Sequence, residues 1–336
     1  MTRRGIALLS VAAALQIVHP AAEAKTLARI PHARQIFGVS ASPKRGELIL
    51  YASDDTPDGE VRMGYPVLVL LDGNQSTSKR LCKAEIQDDY TYPAWSPDGD
   101  RAYFICEDGV HILNARTGES HVLRAGSFAG LAINLDGTKI AYWNLNPPEH
   151  GKYELVVLDP IANKELRTWT LENLFSSDQY GFEVAFGSRG QSLLARTYDT
   201  EGATPLKEFS LTTGGVNTVL DDCAALAPAE NAVYLIHVMN ETRTLMKISP
   251  DSREPIAVVP NFTYSKIAAE GSIRWILAQN FRKKRVAVID TSDDSIRSFD
   301  KGCDAATVMA NGDLVFAARG SLLSSASDCA EPTSVK

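Results

Sequence analysis

The chain has 336 residues and a net charge of −7. Its longest basic run is Arg282–Arg285, which falls at a predicted turn, so nucleic acid is not an expected partner. Five cysteines without a Cys-x-x-Cys pair argue against a zinc site and against a redox dithiol.

The first 24 residues have the pattern of a secretory signal peptide. Arg3 and Arg4 precede an apolar run from Gly5 to Val18, and Ala22-Glu23-Ala24 is a small-x-small cleavage pattern. The alternative is a buried N-terminal helix. Loss of this segment would remove two arginines and one glutamate and leave a net charge of −8. The mature protein is therefore expected to be periplasmic or secreted, and no other stretch is long and apolar enough to predict a membrane helix.

Taken in chain order, one hairpin pattern recurs about seven times. Each copy has an apolar strand, a turn containing Pro, Asp, Asn or Gly, and a second apolar strand, as in residues 93–104. Third strands and more polar fourth strands follow several copies. A period of about 40 residues with four short strands per unit is typical of a β-propeller. The turn positions are separated by 38 to 53 residues and lie at Gly46, Gly99, Gly137, Gly190, Asn231, Gly271 and Gly312.

The predicted fold class is all-β, a β-propeller of four-stranded antiparallel blades. Seven blades are expected, with six blades as the alternative. The last unit, which ends at Ser321–Ser325, has only three strands, and a spare strand at Thr26–Ile30 precedes the first unit. Pairing between the two would close the ring and remove an open edge. The predicted domains are a signal peptide at 1–24, a propeller at 25–329 and a C-terminal tail at 330–336.

The turn sequence Trp95-Ser96-Pro97-Asp98-Gly99 and its copy in residues 130–142 resemble the repeat of the TolB-type propeller family. The resemblance implies a propeller that binds proteins or peptides across one face. It implies no site residue, because the repeated Ser, Pro, Asp and Gly shape the turn. We expect no α/β domain before the propeller, for which the chain leaves no room. We also expect no peptidase domain, since the Gly-x-Ser-x-Gly elbow is missing.

Two faces of such a ring differ in their sequence. One face, here called the turn face, carries the Pro-Asp-Gly turns. The opposite crossing-loop face carries the blade-to-blade crossings, the long loops and several aromatic pairs, which could stack on sugar rings or peptide side chains. The alternative is that these aromatics fill the core between blades. The candidate binding residues are Asp88, Asp89, Tyr90, Tyr92, Glu149, His150, Asp178, Tyr180, Phe182, Phe262 and Tyr264.

These features favour an exported, non-enzymatic propeller that binds a protein, peptide or glycan on its crossing-loop face. No nucleophile, metal-ligand or cofactor motif is recognisable, so no catalytic residue, no metal ion and no cofactor is predicted. Glu149 and His150 form the one pair worth testing for acid–base chemistry. The alternative function is a lyase or hydrolase of a saccharide or small substrate, with acids at the axial mouth. A structural subunit of an envelope complex is a third possibility.

The cysteines are assigned by their predicted strand positions. Cys82 and Cys106 should end strands of adjacent blades on the crossing-loop face, so a bridge between them is feasible. Cys223 and Cys303 fall in crossings on the same face and are further disulfide candidates. Cys329 is expected on the turn face as the unpaired thiol.

Overall fold

A computed structural model describes residues 26–54, 64–72, 75–83, 92–145, 152–172, 181–187, 190–198, 204–230, 232–249, 252–264, 266–269, 274–280, 283–299 and 302–324. Within these ranges the chain forms 27 strands and no helix. A search of the same ranges finds no helix with the length and apolar character of a membrane span.

Strand β1 (Thr26–Arg29) precedes three four-stranded sheets. The first sheet contains β2 (Ala33–Ala41), β3 (Glu47–Asp54), β4 (Tyr65–Asp72) and β5 (Gln75–Arg80). The second contains β6 (Ala94–Trp95), β7 (Arg101–Cys106), β8 (Gly109–Asn114) and β9 (Glu119–Ala125). The third contains β10 (Phe128–Ile133), β11 (Ile140–Asn144), β12 (Lys152–Asp159) and β13 (Lys164–Glu172).

The next seven strands form one continuous sheet, here called the long sheet. Its strands are β14 (Gly181–Phe186), β15 (Ser192–Tyr198), β16 (Thr204–Ser210), β17 (Val216–Pro228), β18 (Val233–Met239), β19 (Thr242–Ser249) and β20 (Ser252–Val259). The fifth sheet contains β21 (Lys266–Ala269), β22 (Trp275–Asn280), β23 (Arg285–Asp290) and β24 (Ser295–Phe299). The closing sheet contains β25 (Ala305–Val308), β26 (Leu314–Ala318), β27 (Ser321–Leu323) and β1.

The ends of the described chain meet in the closing sheet. β1 pairs antiparallel with β27, so that Thr26 lies opposite Leu323 and Arg29 lies opposite Ser321. This is the pairing that the spare N-terminal strand predicts. It gives the last unit its fourth strand and leaves no three-stranded sheet with a bare edge.

The predicted count of seven or six separate blades is not observed. The structure has five separate four-stranded sheets, and the remaining strands belong to the long sheet. The reason is β17, which spans 13 residues and pairs on both sides. Its first half pairs with β16, where Val216 lies opposite Phe209, and its second half pairs with β18, where Pro228 lies opposite Val233.

Burial follows the position of each strand within its sheet. The second strands are buried on both faces because each sheet packs between two neighbours; residues 48–52 of β3 are all buried. The fourth strands are polar and exposed, and every residue of β5 is exposed. Among the described residues, seven apolar clusters fill the spaces between neighbouring sheets and within the long sheet. The core is therefore a ring of packed interfaces around an axis.

The Pro-Asp-Gly turn has the structural role that the sequence predicts. Ser96 N donates to Arg101 O across 2.8 Å, and Gly99 N donates to Ser96 O across 2.8 Å, with φ of +70° at Gly99. Asp98 accepts hydrogen bonds from the Ser96 hydroxyl and from Asp100 N, and these bonds lower the pKa of Asp98 below 3.8.

Cys82 and Cys106 form a disulfide with 5.5 Å between their Cα atoms, as their predicted placement allows. Cys303 is also disulfide-bonded. Cys223 is free and buried in β17, so its prediction as a bonded cysteine is wrong. Burial raises the pKa of the Cys223 thiol to about 12, which makes it unreactive at neutral pH. Cys329, the predicted odd thiol, lies outside the described residues.

Candidate functional site

Most of the predicted binding residues lie outside the part of the chain that the structure describes. These are Asp88, Asp89, Tyr90, Glu149, His150, Asp178 and Tyr180. The enzymatic alternative, which depends on the same acids, therefore stays a prediction. Tyr92, Phe182, Phe262 and Tyr264 are described and can be placed.

Three of these four aromatics lie in the core. Phe182 is 6 % exposed, and its ring packs 5.5 Å from that of Trp143 and 5.3 Å from that of Tyr153. Phe262 and Tyr264 are each 5 % exposed, and their ring centroids are 5.2 Å apart. They fill spaces between neighbouring sheets, as the alternative states, and their role in binding stays a prediction.

Tyr92 lies near the axis and joins several sheets. Its hydroxyl donates to Gln279 Oε1 across 2.8 Å, and Gln279 Nε2 donates to the carbonyl oxygens of Phe37, at 3.1 Å, and Asp304, at 3.3 Å. The Tyr92 ring lies directly on the backbone, since a methyl group at Gly38 would be 2.6 Å from its Cε1 atom. These bonds connect the second, fifth, first and closing sheets at the crossing-loop end of the axis.

A buried ion pair stabilises the same end of the long sheet. Arg196 Nε donates to Glu183 Oε2 across 2.9 Å, and their side chains are 3 % and 11 % exposed. Arg196 also donates to the Cys223 carbonyl across 2.7 Å, and Glu183 accepts from Leu226 N across 3.1 Å. The bonds from Arg196 to the Cys223 carbonyl and from Leu226 N to Glu183 connect the second half of β17 to β15 and β14. The ion pair therefore stabilises the long sheet.

Asp304 is a second buried carboxylate near this end. Its side chain is 7 % exposed and accepts a hydrogen bond from Arg319 N at 3.1 Å, while Lys284 Nζ is 4.0 Å away. Burial raises the pKa of Asp304 above its usual 3.8. Its position in the connection before β25, with its carbonyl bonded to Gln279, gives it a structural role.

Two overlapping groups of metal-ligating types occur among the described residues away from the axis. One contains Cys82, Cys106 and Glu107 and the other contains Cys106, Asp108 and His111, and within each group the ligand atoms lie within 4.8 Å of one another. The Cys82 and Cys106 sulfurs are in the disulfide, and His111 Nε2 bonds Asp108 Oδ1 at 2.6 Å. No thiolate remains for a metal ion in either group, so neither fits a metal centre.

The turn-face end of the axis is open and holds a cavity of about 410 Å³, here called the axial cavity. Its wall comes from the first, second, third and long sheets. The lining residues are Pro43, Lys44, Trp95, Pro97, Ile133, Asn134, Leu135, Phe186, Pro228, Ala229 and Glu230. They are mainly apolar, with Lys44, Glu230 and Asn134 as the polar groups, so the cavity offers an apolar surface with two charges of opposite sign.

The wall of the axial cavity is built by turns that pack on one another around the ring. A methyl group at Gly99 would lie 2.7 Å from Ser42 Oγ of the first sheet, and one at Gly137 would lie 2.9 Å from Pro97 Cδ. Each glycine therefore allows its turn to contact the turn of the preceding sheet. Trp95 Nε1 adds a hydrogen bond to Ser40 O at 3.3 Å.

The sequence prediction missed this cavity. Trp95, Pro97 and Leu135 belong to the repeated turns, which were expected to be structural and to point away from any ligand. The sequence signal was the presence of the apolar residues Pro and Leu in these turns. The structure places them at exposed or half-exposed positions. Only the closed ring brings these positions together.

No family model matches the chain, and no curated protein matches it. Among solved structures, the chain is similar to oligogalacturonate lyase from Vibrio parahaemolyticus, with 12 % identity over 93 % of this chain and 94 % of that one and a TM-score of 0.58. It is also similar to the RRP9 WD40 repeats, with 11 % identity over 90 % and 97 % and a TM-score of 0.55.

TolB from Acinetobacter baumannii is a third match, with 13 % identity over 79 % of this chain and a TM-score of 0.49. The chain spans 63 % of the length of that protein. At such identities the similarity concerns the fold alone. Together with the ring of antiparallel sheets, the similarity to oligogalacturonate lyase and to the RRP9 WD40 repeats establishes that the chain has a β-propeller fold.

Proposed function

We propose that the protein is an exported, non-enzymatic β-propeller of seven blades that binds a protein or peptide partner through the axial cavity. The observation that carries this proposal is the cavity itself, in which the turns of several sheets converge on one apolar surface. Concave apolar sites with a few polar groups are the usual form of binding sites. The lining is mainly apolar, which suits a surface that binds an apolar side chain.

Seven blades are supported by the packing inside the long sheet. A cluster containing Leu194 and Leu206 from its first half packs against Leu226, Val233 and Leu235 from its second half. Strands of one flat sheet lie side by side and do not pack face to face in this way. With this interface, the seven apolar clusters correspond to seven contacts between blades, and β17 is the fourth strand of one blade and the first of the next.

Export is supported by two kinds of evidence. Residues 1–24 have the signal-peptide pattern. Cys82 and Cys106 are bonded to each other, and Cys303 is also disulfide-bonded, which suits an oxidising compartment outside the cytoplasm.

The crossing-loop face remains the competing location for the partner site, and it is also where a glycan was predicted to bind. Its support is the sequence of Asp89, Tyr90 and Tyr180 and the long loops. The described residues favour the turn face, because residues of four sheets line one shared cavity there.

The experiment is affinity capture with quantitative mass spectrometry, using the purified mature protein and an envelope extract of the source organism. Leu135→Asp places a charge on the rim of the axial cavity, so capture of the partner should fall about tenfold, equivalent to ~1.4 kcal/mol. Ile161→Asp is the matched control, since Ile161 lies on the same face in an outer turn and is 66 % exposed.

A third variant, Tyr90→Ala with Tyr180→Ala, probes the other face. The proposal is supported if this variant still captures the partner and Leu135→Asp does not. The reverse result would place the site on the crossing-loop face and refute it. Melting curves of all three proteins confirm that each remains folded.

A further inference from the structure

We propose that the axial cavity continues outward as a groove between the two halves of the long sheet, and that together they bind an extended peptide. The peptide has an apolar residue that enters the axial cavity and a polar, basic segment that lies in the groove. This inference rests on the proposed function and specifies its ligand.

A second cavity of about 340 Å³, here called the radial groove, lies at the turn-face ends of the strands of the long sheet. One wall is mainly polar and comes from β15 and the residue before it, β16, the turn after β16 and the start of β17, with Gln191, Ser192, Glu208, Ser210, Thr213 and Asn217; Leu194 and Val219 are its apolar members. Its opposite wall comes from β18 and β19, with Val233, Ile248 and Ser249.

The axial cavity and the radial groove adjoin along two stretches of chain. On one wall, Phe186 lines the axial cavity, and the next residue, Gly187, lines the radial groove. On the other wall, Glu230 lines the axial cavity and Val233 lines the groove, within a turn held by the bond from Ala229 N to Ala232 O at 2.8 Å. The two sites therefore form one path from the axis toward the rim.

The chemistry of this path changes from the axis outward. Pro97, Ile133 and Leu135, which are exposed or half-exposed, give the inner end an apolar character, which suits a Leu, Ile, Met or Phe side chain. The hydroxyl and amide groups of the radial groove suit the N–H and C=O groups of an extended backbone, because they can both donate and accept hydrogen bonds.

The negative charges that line the path favour a basic segment in the peptide. Glu230 stands where the two cavities adjoin, and Glu208 lines the radial groove; among the described residues the groove lining contains no Lys or Arg. A Lys or Arg side chain of the ligand would therefore meet the carboxylates of Glu208 and Glu230 along the path. Lys44 lies on the first-sheet side of the axial cavity, away from this path.

The dimensions suit a short linear segment. From the first to the fourth strand of a blade there are three interstrand spacings of ~4.8 Å, or about 14 Å in all. An extended chain covers this distance in about four residues, at ~3.3 Å per residue. A linear peptide of about four residues therefore spans the path.

The test uses a displayed library of random octapeptides selected on the purified mature protein. Enriched peptides are synthesised with a fluorescent label, and their affinities are measured by fluorescence anisotropy against the parent protein and its variants. We expect an apolar residue followed within about four positions by Lys or Arg. Binding should weaken with added salt, because the basic residues act through charge.

The decisive variants are Glu208→Gln and Glu208→Lys, with Ile161→Asp as the control. Charge reversal at Glu208 should weaken the enriched peptides by about fivefold to tenfold, as expected for one partly exposed charge pair, and Glu208→Gln should have an intermediate effect. If the peptides bind Leu135→Asp more weakly but bind both Glu208 variants as tightly as the parent protein, the proposal that they lie in the radial groove is wrong and the proposed function stands. No enrichment, or binding that neither substitution alters, would overturn both proposals.

Discussion

The two ends of the propeller axis are built from opposite chemistry. At the crossing-loop end, Tyr92, Gln279, Arg196 and Glu183 bond to one another or to backbone groups of neighbouring sheets. At the turn-face end, Pro, Leu, Ile, Trp and Phe side chains surround an open cavity. Among the described residues, these hydrogen-bonded polar groups therefore stabilise the ring, and the mainly apolar residues at the turn-face end leave space for a ligand. This contrast predicts that substitutions at the crossing-loop end lower the stability of the fold strongly and that substitutions at the turn-face end lower it little.

The largest effect is expected from the buried ion pair. Arg196→Met leaves the Glu183 carboxylate buried without its cation, which should reduce the free energy of unfolding by about 3–5 kcal/mol. The measurement is urea unfolding followed by tryptophan fluorescence. The double variant Arg196→Met with Glu183→Leu should recover part of this loss, because no buried charge then remains.

Arg116→Met serves as the exposed control for that measurement. The Arg116 side chain is 70 % exposed and lies 3.4 Å from Asp100. Its loss should change the unfolding free energy by less than about 1 kcal/mol. Equal effects of Arg116→Met and Arg196→Met would contradict the structural role assigned to the buried pair.

The disulfide should have the next largest effect. Replacing both Cys82 and Cys106 by Ala opens a loop with a sequence separation of 24, which should cost about 3 kcal/mol. Thermal melts with and without reductant measure this loss. Reductant should lower the melting temperature of the parent protein more than that of the double variant, and an unchanged parent would show that the bridge is not stabilising.

Intermediate effects are expected at the axial hydrogen bonds. Gln279→Leu removes the donor to two backbone carbonyls and the acceptor of the Tyr92 hydroxyl, so it should cost about 2–3 kcal/mol. Tyr92→Phe removes one of these bonds and should cost about 1 kcal/mol. Chemical denaturation gives both values, and a larger loss in Tyr92→Phe than in Gln279→Leu would show that the network does not depend on Gln279.

A smaller, pH-dependent effect is expected at Asp304. Its pKa in the folded protein is raised by burial, so folding favours the protonated form. The stability it contributes is present at low pH and is lost as pH rises from about 3.8 through the raised value. Asp304→Asn should therefore raise the free energy of unfolding, relative to the parent, more at pH 7 than at pH 4. A lower free energy of unfolding at pH 7 would show that the interaction with Lys284 outweighs desolvation.

The smallest effect is expected at the turn-face end. Leu135 is half-buried in a turn, so Leu135→Asp should change the unfolding free energy by no more than about 0.5–1 kcal/mol. The same substitution should have the largest effect on partner binding. A variant that unfolds would assign Leu135 to the core and remove the contrast between the two ends.

The repeat is what made the fold predictable. Gly99 and Gly137 occupy left-handed positions in equivalent turns, and such positions can be recognised from Pro-Asp-Gly or Asp-Gly spacing. The strand at residue 26 could also be matched to an incomplete last unit. The continuity of β17 could not be predicted, since Asp221 and Asp222 in its middle resemble a polar connection between strands.

The site was harder to predict, for a physical reason. In a half-buried sheet, alternation shows which side chains face solvent, but a blade is covered on both faces by its neighbours. Phe182 and Tyr264 therefore have the same sequence pattern whether they face the axis or an adjacent blade. The axial cavity depends on ring closure, which brings together positions as distant as Pro43 and Glu230, so the apolar residues of a single turn do not reveal it.

Closure by β1 and β27 also has a consequence for folding kinetics. The first strand of the fold cannot find its place until nearly the whole propeller has been synthesised, because Thr26 pairs with Leu323. Contacts of such high sequence separation form slowly, and β27 exposes an unpaired edge until they do. The last blade is therefore the point at which a newly synthesised chain is most open to mispairing or proteolysis. A circular permutant that connects β27 directly to β1 should close the ring faster than the natural chain.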